Sequence, residues 1–131
     1  MKKKTMFTES QKIANEIFGR IKNVTMRIES DEQKLQQDFA LNFPWVCEDL
    51  WTANFQRDTY KYWLHEFETS NETWQDFVQR ELNHWKTFCS RPSNVRTNST
   101  GALHREVSTW KFQCALEFIA ILETLLNYKN A

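Results

Sequence analysis

Glycine and proline are nearly missing from this chain, with two of each in 131 residues. An all-β fold needs turn residues at every strand reversal, so the shortage excludes that class and leaves few turns between long helices. Net charge is missing too. Seventeen Lys/Arg balance seventeen Asp/Glu, so nothing in the total draws a polyanion. Cysteine is sparse and odd in number, at Cys47, Cys89 and Cys114, with no CxxC. Such spacing gives no disulfide framework, and the three read as reduced thiols. No apolar run approaches the ~18 residues of a membrane span. Lys2, Lys3 and Lys4 precede no apolar stretch of signal-peptide type. The expected location is therefore cytoplasmic, and the sequons at Asn23, Asn71 and Asn98 read as chance.

Catalytic signatures are lacking as well. There is no Gly-rich phosphate loop, no GxSxG and no HExxH. Glu81-x-x-His84 has the spacing of a carboxylate-bridged di-iron helix, but that site needs a second such motif, and none exists here. Cys89 with His84 or His65 carries no local signature of a nucleophile. The chain reads as a non-enzyme that needs no cofactor and no metal.

What the chain has instead is aromatic mass. Phe43 to Phe88 holds five of the six Trp: Trp45, Trp51, Trp63, Trp74 and Trp85. Rings at this density are either buried in a core or offered to a partner. The periodicity predicts an all-α, single-domain bundle of four to five helices with an aromatic-rich core. Residues 1–7 read as a basic flexible leader. Residues 8–131 read as one helical domain, with a flexible connection at about 90–101.

Thr8 and Gln11 form a capping-box pattern, and Ile13, Ile17, Ile21, Val24 and Ile28 then mark one helical face. Leu35 and Phe39 continue that face in phase, which predicts one helix over 9–42 in preference to a break at Ser30. Pro44 suits a first helical turn, so a second helix is expected from Asn42–Trp45 to Phe67. Its broad stripe is Trp45, Val46, Leu50, Tyr60, Trp63, Leu64 and Phe67. Trp51, Phe55 and Tyr62 form a second stripe on the far side. A surface helix of a simple bundle has one stripe. Two readings follow for the second: neighbours on both flanks, or a docking or homodimer surface, and the latter is favoured for Trp51. Thr69-x-x-Glu72 predicts a third helix over 71–89 with Trp74, Phe77, Val78, Leu82, Trp85 and Phe88 inward. A last helix follows over 102–127, facing inward through Val107, Trp110, Cys114, Phe118, Ile121, Leu122 and Leu125.

Charge is unevenly spread. Residues 1–30 hold seven Lys/Arg against three Glu, and residues 31–69 hold three basic against eight acidic residues. One reading is ordinary helix surfaces; the sharper one packs the basic first helix beside the acidic second. Two functions remain. The favoured one is a small helical protein that docks on another protein, as adaptor, assembly subunit or inhibitor, through Trp51, Phe55 and Tyr62. The alternative binds nucleic acid through Lys12, Arg20, Lys22, Arg27, Arg91, Arg96, Arg105 and Lys111, with exposed rings to stack on bases.

Overall fold

The computed structural model describes residues 8–91 and 102–127. The leader, Arg96, Asn98 and most of the expected connection lie outside these. Four helices make up the described chain: α1 (Glu9–Gln37), α2 (Phe39–Thr69), α3 (Trp74–Ser90) and α4 (Ala102–Leu126).

The start of α1 follows its expected cap. Thr8 Oγ1 accepts from Gln11 N at 3.1 Å, and Gln11 Oε1 accepts from Thr8 N at 2.9 Å. Ile13, Ile17, Val24 and Ile28 are buried along one face. The helix runs through Ser30 without a break, but it ends at Gln37 and not at 42. Asp38 is the reason. Its extended backbone donates N–H to the Lys34 carbonyl, closing α1, while its carboxylate accepts from Leu41 N at 3.1 Å, opening α2. One residue caps both helices. Phe39 therefore belongs to α2 and is 61% exposed, so its phase with the α1 face was coincidence.

Two further expectations need correcting. Pro44 opens no helix; it sits inside α2 at the sixth position. Its missing N–H orphans the Ala40 carbonyl, which water can reach because both residues are exposed. The third helix is capped by Thr73, not by Thr69. Thr73 Oγ1 accepts from Asp76 N at 3.1 Å, whereas Thr69 Oγ1 is turned back onto the His65 carbonyl.

α1 and α2 form a long antiparallel hairpin, tied by Asn42 Nδ2 to the Lys34 carbonyl at 2.7 Å and by Arg27 to Asp49 at 2.6 Å. The first helix lies beside the acidic second, but it is not itself basic: Lys12, Arg20, Lys22, Arg27 and Lys34 are matched by Glu9, Glu16, Glu29, Asp31 and Glu32, and the excess counted over residues 1–30 came mainly from Lys2, Lys3 and Lys4, outside the described residues. α3 runs antiparallel to α2, with Trp63 Nε1 donating to Glu81 at 2.9 Å and Phe67 edge-on to Phe77. α4 returns parallel to α2. All four helices share one core. At its centre Phe118, fully buried, meets Phe55, Tyr60, Trp63 and Trp85 with ring centroids 5.0–5.8 Å apart. Tilted and edge-on pairs at this spacing suit the ring quadrupoles.

Candidate docking surface

Helix lengths decide where the bundle is covered. α2 has 31 residues and α3 only 17, so at 1.5 Å per residue α3 is about 20 Å shorter. The last turns of α3 sit level with Phe55. Trp85 meets that ring edge-on at 6.2 Å, and Lys111 Nζ lies 5.7 Å from the centroid of Phe55 and 5.2 Å from that of Phe88. The α1–α2 hairpin and the start of α4 run on past this level. One end of the molecule is thus four helices thick and the other three.

At the three-helix end lies a slot of about 350 Å³ between α2 and α4. Phe43, Cys47, Leu50, Trp51 and Asn54 line one wall, and Leu103, Val107 and Trp110 the other. Its exposed lining is almost wholly apolar. Phe43 and Leu103 of its lining are exposed, and the exposed Phe39 stacks on Phe43 at 5.2 Å, whereas Leu41 and Trp45 are exposed on other faces of the same α2 segment. Trp45, expected in the buried stripe of α2, is 82% exposed. It shares the phase of the buried Trp63, eighteen residues on, yet it stands clear of the core and on the other side of α2 from Phe43.

The expected stripe of Trp51, Phe55 and Tyr62 is divided between two cavities, with Phe55 also reaching the core. Trp51 is half-buried in the slot, stacked on Phe55 at 5.2 Å and tilted against Trp110 at 6.1 Å. Phe55 is wedged inward against Trp85 and Phe118. Tyr62 is exposed and lines, together with Phe55, a cavity of about 470 Å³ whose other walls include Asp58, Arg80, Glu81, His84 and Trp85. In that cavity Glu81 is buried and committed, accepting from Trp63 and pairing with Arg80 at 3.3 Å. Burial pushes its carboxyl up, while Trp63 and Arg80 pull it back. Arg80 also holds Glu72 and Glu66.

The basic residues do not gather either. Arg20 is turned to Glu16 at 3.0 Å, and Arg27 is spent on Asp49 and Gln56. Lys111 lies over two rings. Lys12 and Lys22 are exposed on α1, with Lys22 near Phe18, whereas Arg91 and Arg105 are exposed at the three-helix end. Among the described residues these cations form no single patch.

One acidic pair, a buried Asp31 and a half-exposed Asp49, spans the α1–α2 hairpin. Asp31, buried at the end of the α1 apolar face, meets Asp49 of α2. Burial, together with the hydrogen bond and like charge of Asp49, pushes Asp31 up to about 6 against the pull of Lys34 and Arg27. Asp49 goes the other way. Burial raises it, but the bond from Asp31 and the Arg27 guanidinium outweigh that and hold it below the usual carboxylate range. Cys114 is buried, and burial followed by Glu117 pushes its thiol up to about 12, so it is no nucleophile at neutral pH.

No helix among the described residues is long and apolar enough to cross a membrane. Comparison of the chain with protein families, with curated proteins and with solved structures finds no match.

Proposed function

We propose that this protein is a non-enzymatic docking protein whose apolar three-helix end associates with a protein surface. One observation carries the reading: an apolar slot opens at the end where α3 stops short, with Phe43 and Leu103 exposed in its lining and the exposed Phe39 stacked on Phe43 beside it. Scattered exposed apolar residues are ordinary; a contiguous patch around a pocket marks an interaction site. Trp is also the commonest kind of interface anchor. The surface differs from the stripe read off the sequence. Trp51 belongs to both, Phe55 supports it from inside, and Tyr62 lies apart from it.

The test is a paired capture from nuclease-treated extract of the native source. The chain is compared with a Trp45→Ser/Leu103→Ser variant, whose substitutions lie on exposed positions and leave the core intact. A protein held by the native chain and lost by the variant supports docking at this end. Equal capture by both overturns it. Loss of all bound material on nuclease treatment favours the nucleic-acid reading, for which Arg91 and Arg105 at the same end are the exposed cations.

A further inference from the structure

We propose that the cavity between α2 and α3 binds an ammonium group carried on an apolar body, supplied by a small free amine or by a lysine side chain. The site lies apart from the slot and does not depend on the docking reading. Its α2 wall includes Phe55, Asp58 and Tyr62, which share one helix face at steps of three and four. Phe55 and Tyr62 are seven residues apart, so the recess runs about 10 Å along the helix, room for a ring and a short chain. Its volume of about 470 Å³ falls within the range of small-molecule sites.

Charge sets the sign of the ligand. Asp58 and Glu81 line the cavity, and Glu66 and Glu72 lie beside it on Arg80. Arg80 reaches Glu81 at 3.3 Å and Glu66 at 4.0 Å and also pairs with Glu72. Asp58 is exposed, and among the described residues neither Arg80 nor Lys61, three residues on, pairs with it. Glu81 keeps a carboxylate in a buried position where a glutamine could accept the same bond from Trp63 without burying a charge. Four acidic side chains against one guanidinium leave the recess short of positive charge. Among the described residues no three acidic, His or Cys side chains are grouped to hold a metal ion, so the cation that suits the recess is an organic one.

Rings supply the rest of the site. Tyr62 is 48% exposed and packs on no other ring among the described residues, which leaves it open to a cation. Phe55 already draws one ammonium, that of Lys111, which is not part of the cavity lining. Trp85 is buried in the wall, and its Nε1–H has no acceptor in the protein. A buried donor of this kind is met by water or by a bound molecule, so its resonance reports on the cavity.

The experiment titrates the full chain with phenethylamine by calorimetry. Phenethyl alcohol is the uncharged control of the same shape, and N-acetyl-lysine methylamide is the side-chain probe. An amine should bind, and the Trp85 indole N–H resonance should shift with it. Asp58→Asn and Tyr62→Ala change exposed side chains and leave the core intact. Each should weaken binding roughly tenfold, the loss of one charged hydrogen bond or one cation–π contact. Whichever of phenethylamine and the blocked lysine binds more tightly names the source, free amine or partner side chain. Equal binding of phenethylamine and its alcohol overturns the proposal, since charge would then count for nothing. Binding that both substitutions leave unchanged also overturns it, because the amine is then held elsewhere. So does absence of binding by either amine up to about 10 mM.

Discussion

The two ends of this bundle are built from the same kinds of residues and differ in coverage. At the four-helix end Ile13, Ile17, Trp74, Phe77 and Leu125 are all buried, because each helix there has a partner on both flanks. At the three-helix end Phe39, Leu41, Trp45 and Leu103 face solvent at positions of similar character. Aromatic and aliphatic side chains go inside only where another element exists to cover them. The contrast turns on the length of α3. A chain that merely needed to fold would have little reason to leave its richest aromatic segment half-covered, so we tie the short helix to association.

Breaking the sealed region should cost most. Phe118→Ala deletes the ring on which Phe55, Tyr60, Trp63 and Trp85 converge, and the expected loss is ~3–5 kcal/mol, the usual penalty for truncating a large buried aromatic. Denaturant unfolding monitored by circular dichroism measures it. A loss below about 1 kcal/mol would falsify the central place given to this ring. Trp85→Ala belongs to the same class, since Trp85 is buried. Trp51→Ala should cost about half as much, because Trp51 packs on Phe55 and Trp110 with its outer face in the slot. Equal losses for Trp85 and Trp51 would mean the slot is as well packed as the core, and the contrast between the ends would fail.

How much of this was legible in the sequence follows from what periodicity can and cannot report. The all-helical architecture, the Thr8 cap and the inward faces of α1 and α3 were all readable, because each depends on local spacing. The hairpin at Asp38 was missed because Leu35 and Phe39 keep the α1 phase across the turn. The usable signal was Asp38 itself, a good N-cap followed at once by Phe39, Ala40 and Leu41. The exposed end was missed for a different reason. Phase tells which face of α2 a residue takes, not whether a neighbouring helix reaches that height. Trp45 has the phase of the buried Trp63 and is nonetheless exposed near the start of α2. Tyr62, grouped with Trp51 by phase, lies apart from it because eleven residues, about 16 Å of helix, separate the two along α2, and they line different cavities.

A smaller loss should follow from uncapping the hairpin. Asp38→Ala removes the carboxylate that accepts from Leu41 N and leaves the first turn of α2 without its side-chain acceptor. The expected cost is about 1 kcal/mol, typical of an N-cap replaced by alanine. The loss should be local, so hydrogen exchange should rise at Leu41 and its neighbours and not at Phe77 or Leu125. Uniform faster exchange along the chain would show that the open end is not a separate unit of stability.

The smallest expected effect is a gain, and its sign depends on pH. Asp31 has a folded-state value of about 6 against an ordinary 3.8, because it is buried beside Asp49. A carboxyl raised on folding contributes stability that is fully present below 3.8 and is lost as pH climbs through about 6. Asp49, held low by Asp31 and Arg27, contributes the opposite way: its stability is present above 3.8 and is lost as pH falls below that value. Together the pair keeps one proton in the folded hairpin across the window between those values. Asp31→Asn replaces the proton-bearing partner with an amide that can still donate to Asp49 and never ionises. The variant should therefore match the native chain near pH 4.5 and exceed it at pH 7.5. The gain should be on the order of 1 kcal/mol, less than a lone carboxyl would give, because the pair titrates as a unit. Melting temperatures of both chains across this range decide the matter. An offset that stays constant with pH would mean that Asp31 is not the titrating group, and a loss at pH 7.5 would mean that its charge, held by Arg27 and Lys34, steadies the hairpin.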